Sequence, residues 1–200
     1  AEETGCIIDI GKWVIRQVCG NYKRWQDSGL PPIKVVVNVS GIQLMESGFA
    51  NKIKSVIDEY GLNPKFLIIE IAEDVLLKNT DTTISNIETL RSFGIEIALN
   101  SFGLGFSSFT YQNRLKIDII KLNGSFLKGI PYNKVNSVIV ESAIHLAQGL
   151  KIKMGVEGIE TWDQLTYLKY LNCYAGQGNI FGQGVELEEI EKILARRICK

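Results

Sequence analysis

Hydrophobic positions recur along the chain with two different periods, and these periods predict two kinds of element. Apolar residues spaced three and four apart predict amphipathic helices that each bury one face. Short, nearly continuous apolar runs between them predict parallel strands that are buried on both faces. The helical windows are 13–25, 49–60, 84–90, 135–150, 162–171 and 187–198, and the strand runs are 35–37, 66–69, 95–99, 117–120 and 152–156.

Helices and strands alternate from one end of the chain to the other. This order is typical of βαβ units with right-handed crossovers, and it predicts an α/β fold with parallel strands. A weak sixth strand is predicted around 174–176. Gly61, Gly94 and Gly149 follow helical windows and are expected to end those helices in the left-handed conformation. Since no linker rich in Pro, Gly or Ser interrupts the pattern, residues 1–200 are predicted to form a single domain.

Composition and charge narrow the class of protein. The chain has 200 residues, of which 46% are hydrophobic and 22% charged, so it can build a sizeable core. Its 22 basic and 22 acidic residues balance, and no basic block stands out, which argues against a DNA or RNA partner. No apolar run approaches the roughly 20 residues of a membrane span. We therefore expect a cytoplasmic location without membrane insertion by this segment.

The cysteines and the histidine suggest no chemistry of their own. Cys6, Cys19, Cys173 and Cys199 follow no zinc or redox spacing, so reduced structural thiols are expected. His145 lies inside a helical window and has no second imidazole with which to bind a metal.

Polar residues follow the predicted strands. In a parallel barrel, the carboxyl ends of the strands meet at one mouth, so these side chains would converge there. The start of a loop explains any one of them, but the whole set favours a shared site. Carboxylate, amide and amine groups together suit a divalent cation and a phosphate ester. The residues are Asn38, Glu70, Asn100 with Ser101, Lys121, Glu157 and, in a glycine-rich turn, Gln177.

Several segments, in this order, carry a family resemblance. They are 1–5 (AEETG), 37–40 (VNVS), 69–73 (IEIAE), 102–108 (FGLGFSS), 118–121 (DIIK), 157–161 (EGIET) and 177–178 (QG). With these segments the chain resembles the EAL domain, the cyclic di-GMP phosphodiesterase family of bacterial signalling. The resemblance implies a TIM-like (β/α) barrel.

The resemblance also implies roles for individual residues in hydrolysis of one phosphodiester bond with two Mg²⁺ or Mn²⁺ ions. Lys121 matches the lysine that positions or activates the attacking water, and Glu73 matches a carboxylate that steadies a loop. Gln177 matches a polar residue near the water and the ligand, and Glu160 matches an acid behind the metal ligands. The matching metal ligands are Asn38, Glu70 and Glu157, and the positions matched to ligand binding are Asn38, Glu70, Gln177 and Glu160.

The chain departs from the family pattern at decisive positions. Asn100 and Ser101 stand where the family has two metal-bridging aspartates, and Asn123 stands where an acid is usual. An amide or a hydroxyl contributes only a dipole toward a cation, so the metal site should be badly weakened. The glutamate of the Glu-Ala-Leu signature is expected upstream of Ala1. Six predicted strands against the eight of a closed barrel indicate an EAL-type domain that is N-terminally truncated and lacks its first strands.

These observations favour a catalytically inactive domain that acts as a cyclic di-GMP receptor or a regulatory interaction module. The alternative is a slow metal-dependent phosphodiesterase that uses Asn38, Glu70 and Glu157 with Lys121. Whether any Mg²⁺ or Mn²⁺ is retained stays open at this point. A homodimer or an attached regulatory domain is the expected partner. A purely structural dimerisation module, with Trp162 exposed toward a partner, is a third interpretation.

Overall fold

The computed structural model describes residues 1–73, 75, 81–102 and 115–196, with Ser101 and Phe102 described by their backbone alone. In chain order its elements are α1 (Ile7–Asp27), β1 (Val35–Asn38), α2 (Gly41–Leu44), α3 (Phe49–Glu59), β2 (Leu67–Ala72), α4 (Asp81–Ser92), β3 (Glu96–Phe102), β4 (Ile119–Leu122), α5 (Lys134–Gly149), β5 (Lys153–Val156), α6 (Trp162–Tyr170), β6 (Ala175–Gly176) and α7 (Leu187–Arg196). Short 3-10 turns lie at Pro64–Phe66, Gly124–Leu127 and Asn179–Phe181.

The chain divides into two compact units. The first comprises residues 1–71, 78–97 and 184–200, and the second comprises residues 72–77 and 98–183. Of the predicted motif at 102–108, residues 103–108 lie outside the described residues, and so does Cys199. The prediction of a single domain over residues 1–200 stays a prediction.

The first unit contains a parallel strand pair and a set of helices, α1 to α4, that pack against one another. Strands β1 and β2 align Val35 with Leu67 and Asn38 with Glu70. Asn86 of α4 is buried and fastens this helix to the chain around α2, because its Nδ2 donates to the carbonyl oxygens of Leu44 (2.8 Å) and Glu46 (2.9 Å). The core of this unit includes Leu44, Ile57, Leu67, Ile69, Ile87 and Leu90.

The second unit contains parallel strands in the order β3-β4-β5-β6. Gly155 of β5 is aligned with Lys121 on one side and with Ala175 on the other. Helix α5 packs against β5, as the predicted βαβ order requires. The core of this unit includes Leu99, Ile120, Leu122, Leu127, Val140, Ile144, Met154 and Val156.

The predicted elements are present, with shifts at their ends. Helix α1 begins at Ile7 rather than Trp13, and β2, β3 and β4 extend past the predicted apolar runs. The predicted sixth strand is β6. The described residues hold six strands, short of the eight of a closed barrel. No helix in the described ranges combines the length and the apolar character needed to cross a bilayer.

The expectation for Gly149 is wrong. Gly149 is the last residue of α5, and the left-handed conformation occurs two positions later, at Lys151 with φ 60°. Gly61 and Gly94 do adopt positive φ, at 62° and 88°. The apolar pattern runs on to Leu150, which caps the end of α5, so the left-handed residue comes after Leu150 and not at the glycine.

Candidate functional site

Two predicted metal ligands lie side by side in the first unit. Asn38 ends β1 opposite Glu70 of β2, and the backbone N–H of Val39 donates to the Glu70 carbonyl oxygen at 2.8 Å. Glu70 is buried, with 3% of its surface exposed, whereas Asn38 is exposed. Residues directly opposite each other on neighbouring strands face the same side, about 5 Å apart. An amide and a carboxylate therefore share one face of this strand pair.

Lys121 and Gln177 are brought together in the second unit. The Lys121 Nζ donates to Gln177 Oε1 at 2.8 Å. A Cβ on the aligned Gly155 would approach the Lys121 Cγ to 3.3 Å, so glycine leaves room for the stem of the lysine. Gln177 follows β6, and its backbone N–H donates to the Val156 carbonyl oxygen at 2.9 Å. This polar pair thus spans the carboxyl ends of β4 and β6.

Glu157 follows β5 and makes a contact that the sequence reasoning missed. Its Oε1 accepts a hydrogen bond from Asn123 Nδ2 at 3.0 Å, and both side chains are half-buried. In the sequence, Asn123 stands out only because an acid is usual at its position in the family that the chain resembles. Its structural signal in the sequence is weak, because Asn before Gly and Ser is a common turn sequence.

Two glycines allow the loops after β4 and β5 to touch backbone to backbone. A Cβ on Gly124 would lie 2.8 Å from the Glu157 carbonyl oxygen. A Cβ on Gly158, which has φ 76°, would lie 3.0 Å from the Gly124 Cα. Neither position can hold a side chain without displacing backbone, so this close approach fixes where Asn123 and Glu157 meet.

Glu157, Glu160 and Gln177 border one cavity of about 310 Å³, which Gly158, Gly178 and Asn179 complete. Glu160 is exposed, and its backbone N–H donates to Gln164 Oε1 at 2.8 Å. Gln164 also completes a capping box with Thr161 at the start of α6. The helix cap therefore positions Glu160 at the rim of the cavity.

A β-bulge lies at Asn100 and Ser101, the two positions where the resemblance implies aspartates. Strand β3 aligns Leu99 with Ile120 and Phe102 with Leu122, so Asn100 and Ser101 together oppose the single residue Lys121. Bulges of this kind re-aim side chains and are frequent beside active sites. Asn100 is half-buried, and the side chain of Ser101 lies outside the described residues.

The remaining predicted position is Glu73, which is buried just after β2. Its expected role, to steady the loop that follows the fourth strand, stays a prediction. Asn38 and Glu70 belong to the first unit, whereas Lys121, Glu157 and Gln177 belong to the second.

The described side chains do not fit a centre of two divalent cations. Within the described ranges, no group of three or more His, Cys, Asp and Glu side chains is placed to hold a metal ion. Asn100 offers only an amide, and Asn123 presents an N–H donor to Glu157. Hard cations need several anionic oxygen ligands, and bridging two cations needs carboxylates.

Comparison with known proteins decides the family. A family model for the EAL domain matches residues 1–184. The chain belongs to the EAL family. It is 32% identical over 194 residues to the cyclic di-GMP phosphodiesterase NbdA of Pseudomonas aeruginosa. It is 30% identical over 190 residues to the bifunctional diguanylate cyclase/cyclic di-GMP phosphodiesterase MucR of the same species.

These alignments cover 97% and 95% of this chain but only 25% and 28% of the two relatives. The chain thus spans about a quarter of the length of the curated relatives it matches. Both relatives are proteins of cyclic di-GMP signalling. The resemblance read from the motifs is confirmed at the level of the family.

Solved EAL structures confirm the predicted fold class. The PaMucR phosphodiesterase in complex with c-di-GMP superposes with a TM-score of 0.87 at 29% identity, over 95% of this chain and 77% of that one. The EAL domain of Mycobacterium smegmatis DcpA gives 0.86 at 29% identity, over 93% and 84%. The cAMP-bound EAL enzyme Bd1971 gives 0.86 at 27% identity, over 94% and 53%. The EAL domain has the TIM-like (β/α) fold, and the described part of this chain holds six of its strands.

Proposed function

We propose that this EAL domain binds cyclic di-GMP as a receptor or regulatory module and does not hydrolyse it at a useful rate. The observation that carries the proposal is that amides occupy two positions where the family resemblance implies acids: Asn100 lies on the bulge, and Asn123 donates to Glu157. At either position, an amide offers a cation only a dipole, and it keeps hydrogen-bonding groups in place.

Binding a cyclic dinucleotide and hydrolysing it require different chemical groups. Hydrolysis of a phosphodiester at a metal centre needs cations that stabilise the attacking and leaving oxygens together, and dipolar ligands hold such cations weakly. Binding asks for less, because one ammonium group and several amides can hold a phosphate oxygen through charge-assisted hydrogen bonds. Lys121 and Gln177 provide that combination, already 2.8 Å apart. The c-di-GMP complex of PaMucR supports this choice of ligand.

The signalling role of this proposal involves a partner. The relatives are about four times as long as the aligned region, so we infer that this domain reports its ligand state to an attached regulatory domain or to a second copy in a homodimer. A cytoplasmic location is part of the same proposal. Sedimentation velocity with and without cyclic di-GMP measures the homodimer directly.

The decisive experiment measures binding and turnover on the same preparation. With Mg²⁺ or Mn²⁺ present, chromatography of the reaction should show no linear dinucleotide, while calorimetry should show saturable heat on addition of cyclic di-GMP. The PaMucR phosphodiesterase, assayed under the same conditions, serves as the positive control for turnover. Rapid formation of the linear product by the unmodified chain would overturn inactivity, and the absence of heat would overturn the receptor role.

A slow metal-dependent phosphodiesterase is the second candidate function. The pairing of Asn38 with Glu70 favours it, because an amide oxygen and a carboxylate oxygen on one face could hold a single Mg²⁺ or Mn²⁺. Lys121→Ala should then abolish any slow turnover. Lys153→Ala should preserve it, because Lys153 lies at the start of β5, away from the carboxyl ends of the strands. Activity that survives Lys121→Ala would point to a contaminating enzyme.

A further inference from the structure

The side chain of Asn123 is fixed at both of its polar atoms. Its Oδ1 accepts from the backbone N–H of Ser125 at 2.9 Å and thereby caps the 3-10 turn at Gly124–Leu127. Its Nδ2 donates to Glu157 Oε1 at 3.0 Å. The amide cannot be flipped without losing both hydrogen bonds, because a carboxylate needs a donor and a backbone N–H needs an acceptor. The donor is therefore held against Glu157.

The position of Glu157 is equally constrained. Its backbone N–H donates to the Leu122 carbonyl oxygen at 3.1 Å, and its own carbonyl oxygen lies against Gly124. An aspartate at position 123 could still cap the turn, but it would set a second carboxylate oxygen about 3 Å from Glu157. Two facing carboxylates repel each other unless a proton or a cation lies between them.

We propose that Asn123 is a positioning residue that holds the Glu157 carboxylate in place of a divalent cation. The amide supplies the positive end of a dipole where a metal ion would otherwise compensate the charge. This half of the site is consequently organised without metal. The inference concerns the site of the proposed function but does not require cyclic di-GMP to bind, because its readout is the thermal stability of the chain.

Asn123→Asp tests the proposal, with Asn63→Asp as the matched control. Asn63 also caps a 3-10 turn, through the Lys65 N–H at 3.1 Å, but it is exposed and shows no hydrogen bond to a carboxylate in the described structure. In EDTA, Asn123→Asp should lower Tm by about 3–6 °C, the size expected for losing a charged hydrogen bond in a chain of this length. Mn²⁺ should restore that loss, while the unmodified chain and Asn63→Asp should keep the same Tm in EDTA and in Mn²⁺.

A reciprocal exchange keeps the test informative if the single variant folds poorly. In the double variant Asn123→Asp/Glu157→Gln, the carboxylate and the amide trade places, so one amide-to-carboxylate hydrogen bond can form again. This variant should regain most of the lost Tm in EDTA and should gain nothing further from Mn²⁺. A residue that merely filled space would show neither the rescue by metal nor the rescue by exchange.

Each remaining outcome overturns the proposal. A fall in Tm in EDTA that the unmodified chain shows and Glu157→Gln does not show would mean that Glu157 depends on a cation. If Asn123→Asp behaves like Asn63→Asp, then Asn123 does not hold Glu157. If Asn123→Asp is destabilised but Mn²⁺ and the reciprocal exchange both fail to restore it, then the amide does not stand in for a cation.

Discussion

Lys121 shows at the scale of single residues how this chain builds a polar site. The bulge with Asn100 lies across from it on β3, and Gly155 on β5 leaves room for its stem. Its ammonium group then reaches Gln177 at 2.8 Å. Backbone geometry on two neighbouring strands thus decides where one positive charge lies.

Removing that charge should weaken nucleotide binding. Lys121→Met keeps the apolar stem and deletes the ammonium group, so we expect the Kd for cyclic di-GMP measured by calorimetry to rise at least about tenfold, or about 1.4 kcal/mol. Lys153→Met is the control, since Lys153 begins β5 and its Nζ lies 5.1 Å from the centre of the Tyr174 ring. Equal affinities of both variants would contradict a role for Lys121 in binding.

Cys19 illustrates a second effect at this scale, the influence of burial on ionisation. The thiol lies in α1 with none of its surface exposed. Burial raises the pKa of Cys19 to about 11, with Arg16 acting in the opposite direction and Glu59 adding a smaller increase. The folded state therefore keeps the thiol protonated at pH values where the unfolded chain has already lost the proton.

This shift predicts a loss of stability in alkaline solution. Below the ordinary pKa of cysteine both states are protonated, and above it only the unfolded state ionises, so the free energy of unfolding should fall as pH rises toward the folded pKa. From about pH 8 to about pH 10.5, urea titrations should show the unmodified chain losing about 1–2 kcal/mol more than Cys19→Ala. Parallel pH profiles of the two proteins would count against this assignment.

At the scale of elements, the helices share one way of ending. After α5, the N–H of Lys151 donates to the Gln148 carbonyl oxygen (3.0 Å) and the N–H of Ile152 donates to the Ala147 carbonyl oxygen (2.9 Å). The same pair of bonds closes α3, where Gly61 takes the left-handed position. This Schellman pattern favours glycine at the left-handed position after the helix, yet Lys151 occupies that position after α5.

Lys151→Gly should accordingly stabilise the chain. A side chain in the left-handed region costs about 1–2 kcal/mol, part of which the greater freedom of unfolded glycine offsets. We expect the free energy of unfolding in urea to rise by about 0.5–1 kcal/mol. Gly61→Ala, which places a side chain at the equivalent position, should lower it by a similar amount. A decrease for Lys151→Gly would show that the Lys151 side chain contributes more than its backbone strain costs.

At the scale of the whole molecule, the chain passes repeatedly between two compact units. The boundaries fall inside β2 and inside β3, so each of these strands contributes residues to both units. When one part of a strand unfolds, the hydrogen bonds of the adjoining part are weakened as well. Unfolding of either unit should therefore disturb the other. We therefore predict cooperative unfolding of residues 1–200.

Pulsed thiol labelling in urea measures this cooperativity with one probe in each unit. Cys19 reports on the first unit and the half-buried Cys173 reports on the second, each in a variant with the other cysteines replaced by serine. The two labelling midpoints should coincide, as they do in a two-state transition. Separate midpoints would show that the units unfold independently and would contradict the single-domain prediction.

Much of the fold could be predicted from the sequence, and less of the site. The helices and strands follow from apolar periodicity, because this pattern depends on neighbouring residues. The contact between Asn123 and Glu157 joins side chains 34 residues apart, and the contact between Lys121 and Gln177 joins side chains 56 residues apart. No local pattern encodes such pairs.

The sequence by itself indicated the family resemblance and the order of the parallel strands along the chain, and it places Asn100 and Ser101 where that resemblance implies two aspartates. Motifs and periodicity are properties of short segments, so they survive without any knowledge of packing. Only the tertiary structure decided that β3 bulges at Asn100, that Gly155 makes space for Lys121, and that Asn123 donates to Glu157. These features depend on strand register and on the close approach of distant backbones, which arise only when the strands pair.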